Sequence, residues 1–155
     1  MIVEQVMSDT VWTCHTDEPL SCAARLMWDH DIGAVPVLGA DDKLVGVVTD
    51  RDLCMAAYFT GERMSSIPVS HAMSKVAFTI GPQTRIEAAE DLMRSKQIRR
   101  LPVLEAEKLV GMITLGDLAR ATKTRGHVAA TEITVTLAAI LEPRAAELAP
   151  LSIRD

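Results

Sequence analysis

The sequence predicts a mixed α/β (α+β) fold made of two β-α-β-β-α units, on the strength of three observations. The first is a repeat: LVGVVTDRDL at Leu44 to Leu53 returns as LVGMITLGDL at Leu109 to Leu118. The match extends outward, with Met7-Ser8 answered by Met73-Ser74, Thr13 by Thr79, Leu26-Met27 by Leu92-Met93, Ile32 by Ile98 and Pro36-Val37-Leu38 by Pro102-Val103-Leu104. A single one-residue slip, in the turn before Lys43 and Lys108, separates the copies, so one unit has been duplicated. The second observation is that hydrophobic periodicity switches between helix and strand in the same order in both copies. The third is size: 155 residues, 48% of them hydrophobic, suffice to bury a core over two packed halves.

Each element follows from local pattern. A short extended stretch ends near Thr13. Leu20, Ala23, Ala24, Met27 and Trp28 then fall at helical spacing, with Pro19 suited to a first turn, and predict an amphipathic helix. The β-branched run Ala34-Val-Pro-Val-Leu38, the polar turn Gly39-Ala-Asp-Asp42 and Leu44-Val-Gly-Val-Val48 predict two strands, and past Thr49 a helix runs to Gly61. The second copy repeats this. Thr84-Arg-Ile-Glu87 reads as a capping box ahead of Ile86, Ala89, Leu92 and Met93. Strands are expected over Arg100-Leu-Pro-Val-Leu104 and Leu109-Val-Gly-Met-Ile113, and a helix before Gly126. The division expected is 1–61 for the first repeat, 62–71 for a linker broken by Ser65-Ser66 and Pro68, 72–125 for the second repeat, and 126–155 for a further helix and tail. That helix should present Ile133, Leu137, Ile140 and Leu141 on one apolar face, to the body or to a second subunit, and stop at Pro143 before a frayed end.

Gly-x-x-Thr-x-x-Asp, ending in Asp52 and Asp117, admits two readings. As a capping box, the Thr accepts from the backbone three residues on while the Asp reaches back to the first amide. As a ligand site, the same helix start offers N–H donors and partial positive charge to a phosphate, and the carboxylate accepts the hydroxyls of a ribose. Gly46 and Gly111 let something approach the strand closely.

Two such units, each with a hydrophobic-Pro-Val strand and a closing Gly-hydrophobic-hydrophobic-Thr-x-x-Asp, resemble a tandem pair of cystathionine β-synthase (CBS) domains over about Val6 to Thr122, and more narrowly the short bacterial stand-alone CBS-pair proteins. The resemblance implies two CBS repeats related by a pseudo-twofold axis, their strand layers facing each other. It also implies up to two clefts for adenosine-containing ligands such as AMP, ADP, ATP or S-adenosylmethionine, and pairing into a homodimer. Carried over by residue, it places Asp52 and Asp117 on the ribose, Thr49 and Thr114 near the phosphates, Thr13 and Thr79 along the clefts, and Gly33-Ala34 and Arg99-Arg100 at the cleft positions before the Pro-Val strands. Two guanidiniums clamp phosphate by charge-assisted, bidentate bonds, whereas Gly33-Ala34 offers only backbone, so the clefts should differ; the bland alternative pairs the arginines with Glu105 or Glu107. Asp50-Arg51 against Leu115-Gly116 adds a second difference of open sign.

The function expected is therefore non-enzymatic: an adenine-nucleotide-binding regulatory module, acting as an energy or metabolite sensor and signalling to a separate protein partner. One alternative is a ligand-free scaffold that acts as an interaction protein. Another is a redox or metal sensor built on Cys14, His15 or Cys22, although three cysteines without a Cys-x-x-Cys pair give neither zinc-finger spacing nor a disulfide framework. No Gly-x-Ser-x-Gly, His-Glu-x-x-His or P-loop is present, so no catalysis and no cofactor is expected. The eight methionines, Met7, Met27, Met73 and Met93 at matched positions, read as core filling. A net charge of −5 argues against nucleic acid, and without a leader or long apolar run the expectation is a cytoplasmic protein with no membrane role.

Overall fold

Residues 1–75, 77–125 and 130–143 are described by the computed structural model. Each unit opens with a segment that packs on the other unit. Val3–Gln5 and Val69–His71 form single 3-10 turns at matched positions. Val3, ahead of the first unit, is fully buried with Ile86, Met93, Leu101, Val103 and Ile113 of the second. Val69 and Ile67, ahead of the second unit, are buried with Leu20, Val35, Val37 and Val48 of the first. The segment expected to be a connector is thus a wall of the first core.

The exchange also satisfies helix starts. In the first unit β1 (Cys14–His15) is followed by α1 (Leu20–Asp29), whose Leu20 N–H donates to the Ile67 carbonyl at 2.8 Å. In the second unit α3 (Ile86–Lys96) begins with the Ile86 N–H donating to the Met1 carbonyl at 3.1 Å. The capping box expected from Thr84 and Glu87 does not form: the N-cap is Arg85, which makes no side-chain cap, and Glu87 pairs with Arg85 at 3.2 Å. The reason is register: α3 starts at Ile86, so Thr84 stands one residue ahead of the N-cap, and the incoming chain supplies the acceptor for the first N–H.

In the first unit β2 (Ala34–Leu38) lies between β1, parallel to it, and β3 (Leu44–Thr49), antiparallel. In the second, β4 (Arg100–Glu105) pairs antiparallel with β5 (Lys108–Thr114), and the leading strand is reduced to one parallel bridge, Ile80 to Val103. Both hairpins carry an irregularity at the same place, Val37/Leu38 and Val103/Leu104. The turns differ: Ala106 and Glu107 both take positive φ, 46° and 67°, as a tight two-residue turn requires, while the first turn is longer and only Asp42 does so, at 57°. That accounts for the one-residue slip between copies.

Helices α2 (Asp50–Thr60) and α4 (Leu115–Arg125) close the units; Gly61 ends α2 in the left-handed conformation at φ 69°. On α1, Leu20, Ala23 and Met27 face inward, but Trp28, expected beside them, is 87% exposed. Helix α5 (Ala130–Leu141) packs on α3 and α4 and stops two residues before Pro143. Its inward residues are Ile133, Thr136 and Ile140; Leu137 and Leu141, expected on that face, point outward at 39% and 64% exposure. Residues 144–155, expected to be a tail, lie outside the described residues.

The units meet through the exchanged segments. Ser8 and Met112 exchange two backbone hydrogen bonds at 2.9 Å, and Ser74 N–H donates to Val47 at 2.9 Å. Here the glycines find their use. A Cβ on Gly46 would collide with the Ser74 carbonyl, and one on Gly111 with the Met7 sulfur, so what approaches each strand is the segment leading into the other unit. An exposed ion pair, Lys43 to Glu107 at 2.9 Å, joins the two hairpin turns.

The two glycines should respond unequally to substitution. Gly46→Ala meets backbone, which cannot rotate away, and is expected to cost about 2–3 kcal/mol in urea unfolding, while Gly111→Ala meets a flexible Met7 side chain and should cost under about 1.5 kcal/mol. Equal losses would mean that the approach of the exchanged segments is not what the glycines serve.

Candidate functional site

The candidate site is built on two helix starts. Thr49 N–H and Oγ1–H both donate to Asp52 Oδ2, at 2.9 and 2.7 Å, and Asp52 N–H donates back to Thr49 Oγ1 at 3.3 Å. Thr114 and Asp117 repeat the arrangement at 2.8, 2.6 and 3.2 Å. Both pairs are complete capping boxes. The Asp carboxylates nevertheless differ in what their second oxygen does. Asp117 is 7% exposed and its Oδ1 is held by Arg120, one turn along α4. Asp52 is partly buried, and its Oδ1 makes no hydrogen bond among the described residues. The residue three positions after Asp52 is Met55, which offers no donor.

The second difference lies at the strand starts. Ala34 pairs with Thr49 across β2 and β3, and Arg100 with Thr114 across β4 and β5, so both positions flank a Thr-x-x-Asp. Ala34 is buried at 8% exposure. The Arg100 side chain leaves its own unit and crosses to the first. A Cβ on Gly33 would stand 3.4 Å from Arg100 Nη1, 3.6 Å from Nη2 and 3.4 Å from Asp50 Oδ2. Burial holds the Arg100 pKa below its usual value, Arg99 adds to that lowering, and Asp50 and Asp52 oppose it. Asp50 and Asp52 are thus the acids whose field it feels, yet the Arg100 side chain forms no hydrogen bond or ion pair among the described residues. No pairing of Arg99 or Arg100 with Glu105 or Glu107 occurs among the described residues, and Glu107 is engaged by Lys43. Arg99 is exposed, and its carbonyl accepts from Leu115 N–H at 2.9 Å.

One region therefore holds Thr49, Asp52, Gly33-Ala34 and the Arg100 guanidinium, with Asp50 at its edge. A second holds Thr114, Asp117 and Arg120. Thr13 and Thr79 are partly buried just before Cys14 and Ile80, and no hydrogen bond ties either side chain to these groups. Sequence reasoning left out Arg120. The available signal was the Asp117-x-x-Arg120 spacing on a helix, against Asp52-x-x-Met55 in the first copy.

The cysteine and histidine candidates do not assemble. Cys14 is 1% exposed, and burial, then Glu18 and Cys22, push its thiol up to about 12. His15 approaches Asp42 at 3.6 Å on the surface. No group of three His, Cys, Asp or Glu side chains suited to a metal ion occurs among the described residues, and no helix there is long and apolar enough to cross a membrane.

Comparison with known proteins agrees with the fold. The CBS domain family matches residues 3–58 and 69–123. The CBS domain-containing protein YhcV of Bacillus subtilis is 38% identical over 117 residues, covering 76% of this chain and 82% of that protein. Hypoxic response protein 1 of Mycobacterium tuberculosis is 32% identical over 115 residues, covering 74% and 80%. A crystal structure of Hypoxic Response Protein I, which holds two coordinated zinc ions, superimposes with a TM-score of 0.70 at 31% identity, covering 77% of this chain and 98% of that one. The CBS domain pair of MJ0100, solved in complex with 5-methylthioadenosine and S-adenosyl-L-methionine, shares the fold with a TM-score of 0.70 at 22% identity, covering 79% and 96%. Two matched copies, joined by an exchange of their leading segments, place this chain in the CBS domain family as a tandem pair.

Proposed function

We propose that this CBS pair is a regulatory module, without catalysis of its own, that binds an adenosine-containing ligand between its units and reports it to a protein partner as an energy or metabolite signal. The observation that supports the reading best is Arg100. A partly buried guanidinium with no partner among the described residues loses hydration without compensation, which an anion would restore. Beside it, Asp52 Oδ1 is an acceptor held in place by the cap on Oδ2, suited to the hydroxyls of a ribose. A phosphate on Arg100 and a ribose on Asp52 describe one nucleotide touching both units. Such a ligand favours the arrangement in which the two groups stand at the right separation, and its effect on a partner equals its differential affinity for that arrangement.

The same chemistry ranks the ligands. AMP, ADP and ATP bring phosphate to Arg100; S-adenosylmethionine brings a sulfonium cation and only the single negative charge of its carboxylate. It also ranks the clefts. Asp117 already has Arg120 on its second oxygen, so the first unit's cleft is the primary site. A second reading, a scaffold whose Thr-x-x-Asp pairs serve only as caps, is favoured by the fact that both boxes are complete without a ligand.

Thermal unfolding with AMP, ADP, ATP and S-adenosylmethionine separates the two. A nucleotide at about 100 times its dissociation constant should stabilise the parent by about 2.7 kcal/mol. Asp52→Ala should abolish that shift, Asp117→Ala should keep it, and Arg100→Ala should weaken nucleotide binding about tenfold to a hundredfold, the scale of one charged hydrogen bond. If no ligand shifts the parent, and Asp52→Ala costs only about 1 kcal/mol, the scaffold reading stands instead. The cysteines carry a separate expectation. With a pKa of about 12, Cys14 is ionised to about one part in ten thousand at pH 8, so iodoacetamide should label exposed Cys54 well before Cys14; rapid labelling of Cys14 would revive the redox reading.

A further inference from the structure

Helix α5 lies outside the repeat: the family match ends at residue 123 and α5 begins at Ala130. It is nevertheless docked on α3 and α4, with Ile133 and Ile140 packed into the core of the second unit. Two polar ties fasten it to α3. Arg94 pairs with Glu132 at 3.7 Å, and the Gln97 side-chain amide donates to the carbonyls of Ala139 and Glu142 at 3.3 and 3.1 Å.

The same contact carries a fault. Glu90 of α3 is 3% exposed and Thr136 of α5 is fully buried, and Glu90 Oε1 and Thr136 Oγ1 are the two buried side-chain atoms that find no hydrogen-bond partner among the described residues. The repeat does not ask for an acid there, since the first copy has Ala24. A buried carboxylate with an open oxygen costs far more than a carboxylic acid in the same place.

The surroundings of Glu90 offer little relief. Burial, before anything else, holds its pKa above the usual value; Arg94 opposes this, and Glu132 from α5, with Glu87 and Asp91 from α3, adds to it. Arg94 is already shared between Asp91 and Glu132. On α4 the described charges, Asp117 and Arg120, pair with each other, and β4, which also packs on α3, carries charge only at its ends, Arg100 and Glu105.

We propose that α5 is a proton-linked clasp: it lies on α3 while Glu90 is protonated and lifts as Glu90 ionises, uncovering the α3–α4 face. The sign follows from linkage. A free glutamate titrates near about 4.3, so below that pH the acid is neutral whether α5 is docked or not, and docking is at its strongest. As pH rises, the lifted state releases its proton first, and docking weakens until the docked carboxyl ionises as well. The Glu132–Arg94 pair works in the opposite sense, since it needs an ionised Glu132. What the clasp governs is access to the apolar surface that Ile133 and Ile140 cover.

Hydrogen exchange of backbone amides in the full chain, corrected for intrinsic rate, tests this with α1 as the reference for the whole fold. Protection of α5 in the parent should fall about tenfold or more between about pH 4.5 and about pH 7.5, the scale of one unit in pKa, while α1 does not follow. Glu90→Gln, neutral at both pH values, should show no such fall, and Glu90→Met, which removes the carboxyl and fills its space, should keep α5 closed throughout. Equal protection of the parent's α5 at both pH values overturns the proposal. So does a fall that persists undiminished in both variants, because another group then takes up the proton, and so does a fall matched by α1, because the whole fold then opens. Protection that rises with pH would overturn it in favour of the Glu132–Arg94 pair as the group that sets docking.

Discussion

Each half of this protein is completed by a piece of chain that belongs, in sequence, to the other half. Val3 closes the second core and Val69 the first, and the strand glycines 46 and 111 exist because the crossing segments run against them. The other features follow from that exchange. It ties the first turn of α1 and of α3 to carbonyls from the crossing segments, and so sets where each helix begins. It brings β3 and β5 against segments of the opposite unit, which holds the Thr49–Asp52 corner within reach of a side chain from across the interface. Arg100 lying over Gly33 is one result.

On the proposed reading, folding and ligand chemistry use the same atoms at these corners. A carboxylate whose one oxygen is fixed by a threonine amide and hydroxyl has little freedom left in the other, so a ribose would meet an acceptor already oriented. The duplication then gives two such corners, and two substitutions make them unlike: arginine for methionine one turn into the helix, and arginine for alanine at the strand start. The first satisfies Asp117 from within its own unit. The second sends a cation from the second unit to the corner of the first. A symmetric frame thereby acquires one closed corner and one open one.

Much of this was legible in the chain because the repeat makes each local pattern appear twice. The hairpins, the Thr49 and Thr114 caps and the glycine stop at Gly61 depend on neighbours a few residues away, and local pattern is enough for them. What escaped depends on distance. The cap expected from Thr84 and Glu87 is absent: the helix starts one residue later, with Arg85 at the N-cap, and its first N–H, on Ile86, is taken by the Met1 carbonyl from across the interface. On α5, helical spacing fits two apolar faces equally well, and only the packing on α3 and α4 shows that Thr136 rather than Leu137 turns inward. Trp28 continues the buried stripe of α1 in spacing but lies past the edge of the core. For Arg100, sequence position assigns the backbone to the second unit, while a long side chain is free to act in the first.

The exchanged segments also impose an order on synthesis. Every buried residue of the first core lies between Cys14 and Val69, so that half has all its parts soon after the linker leaves the ribosome. The second core joins Val3 to residues from Ile86 to Ile140. Val3 is therefore synthesised well ahead of the core it completes, and stays uncommitted until the second unit is translated. The segment around Val3 is a latch made before the half that it closes.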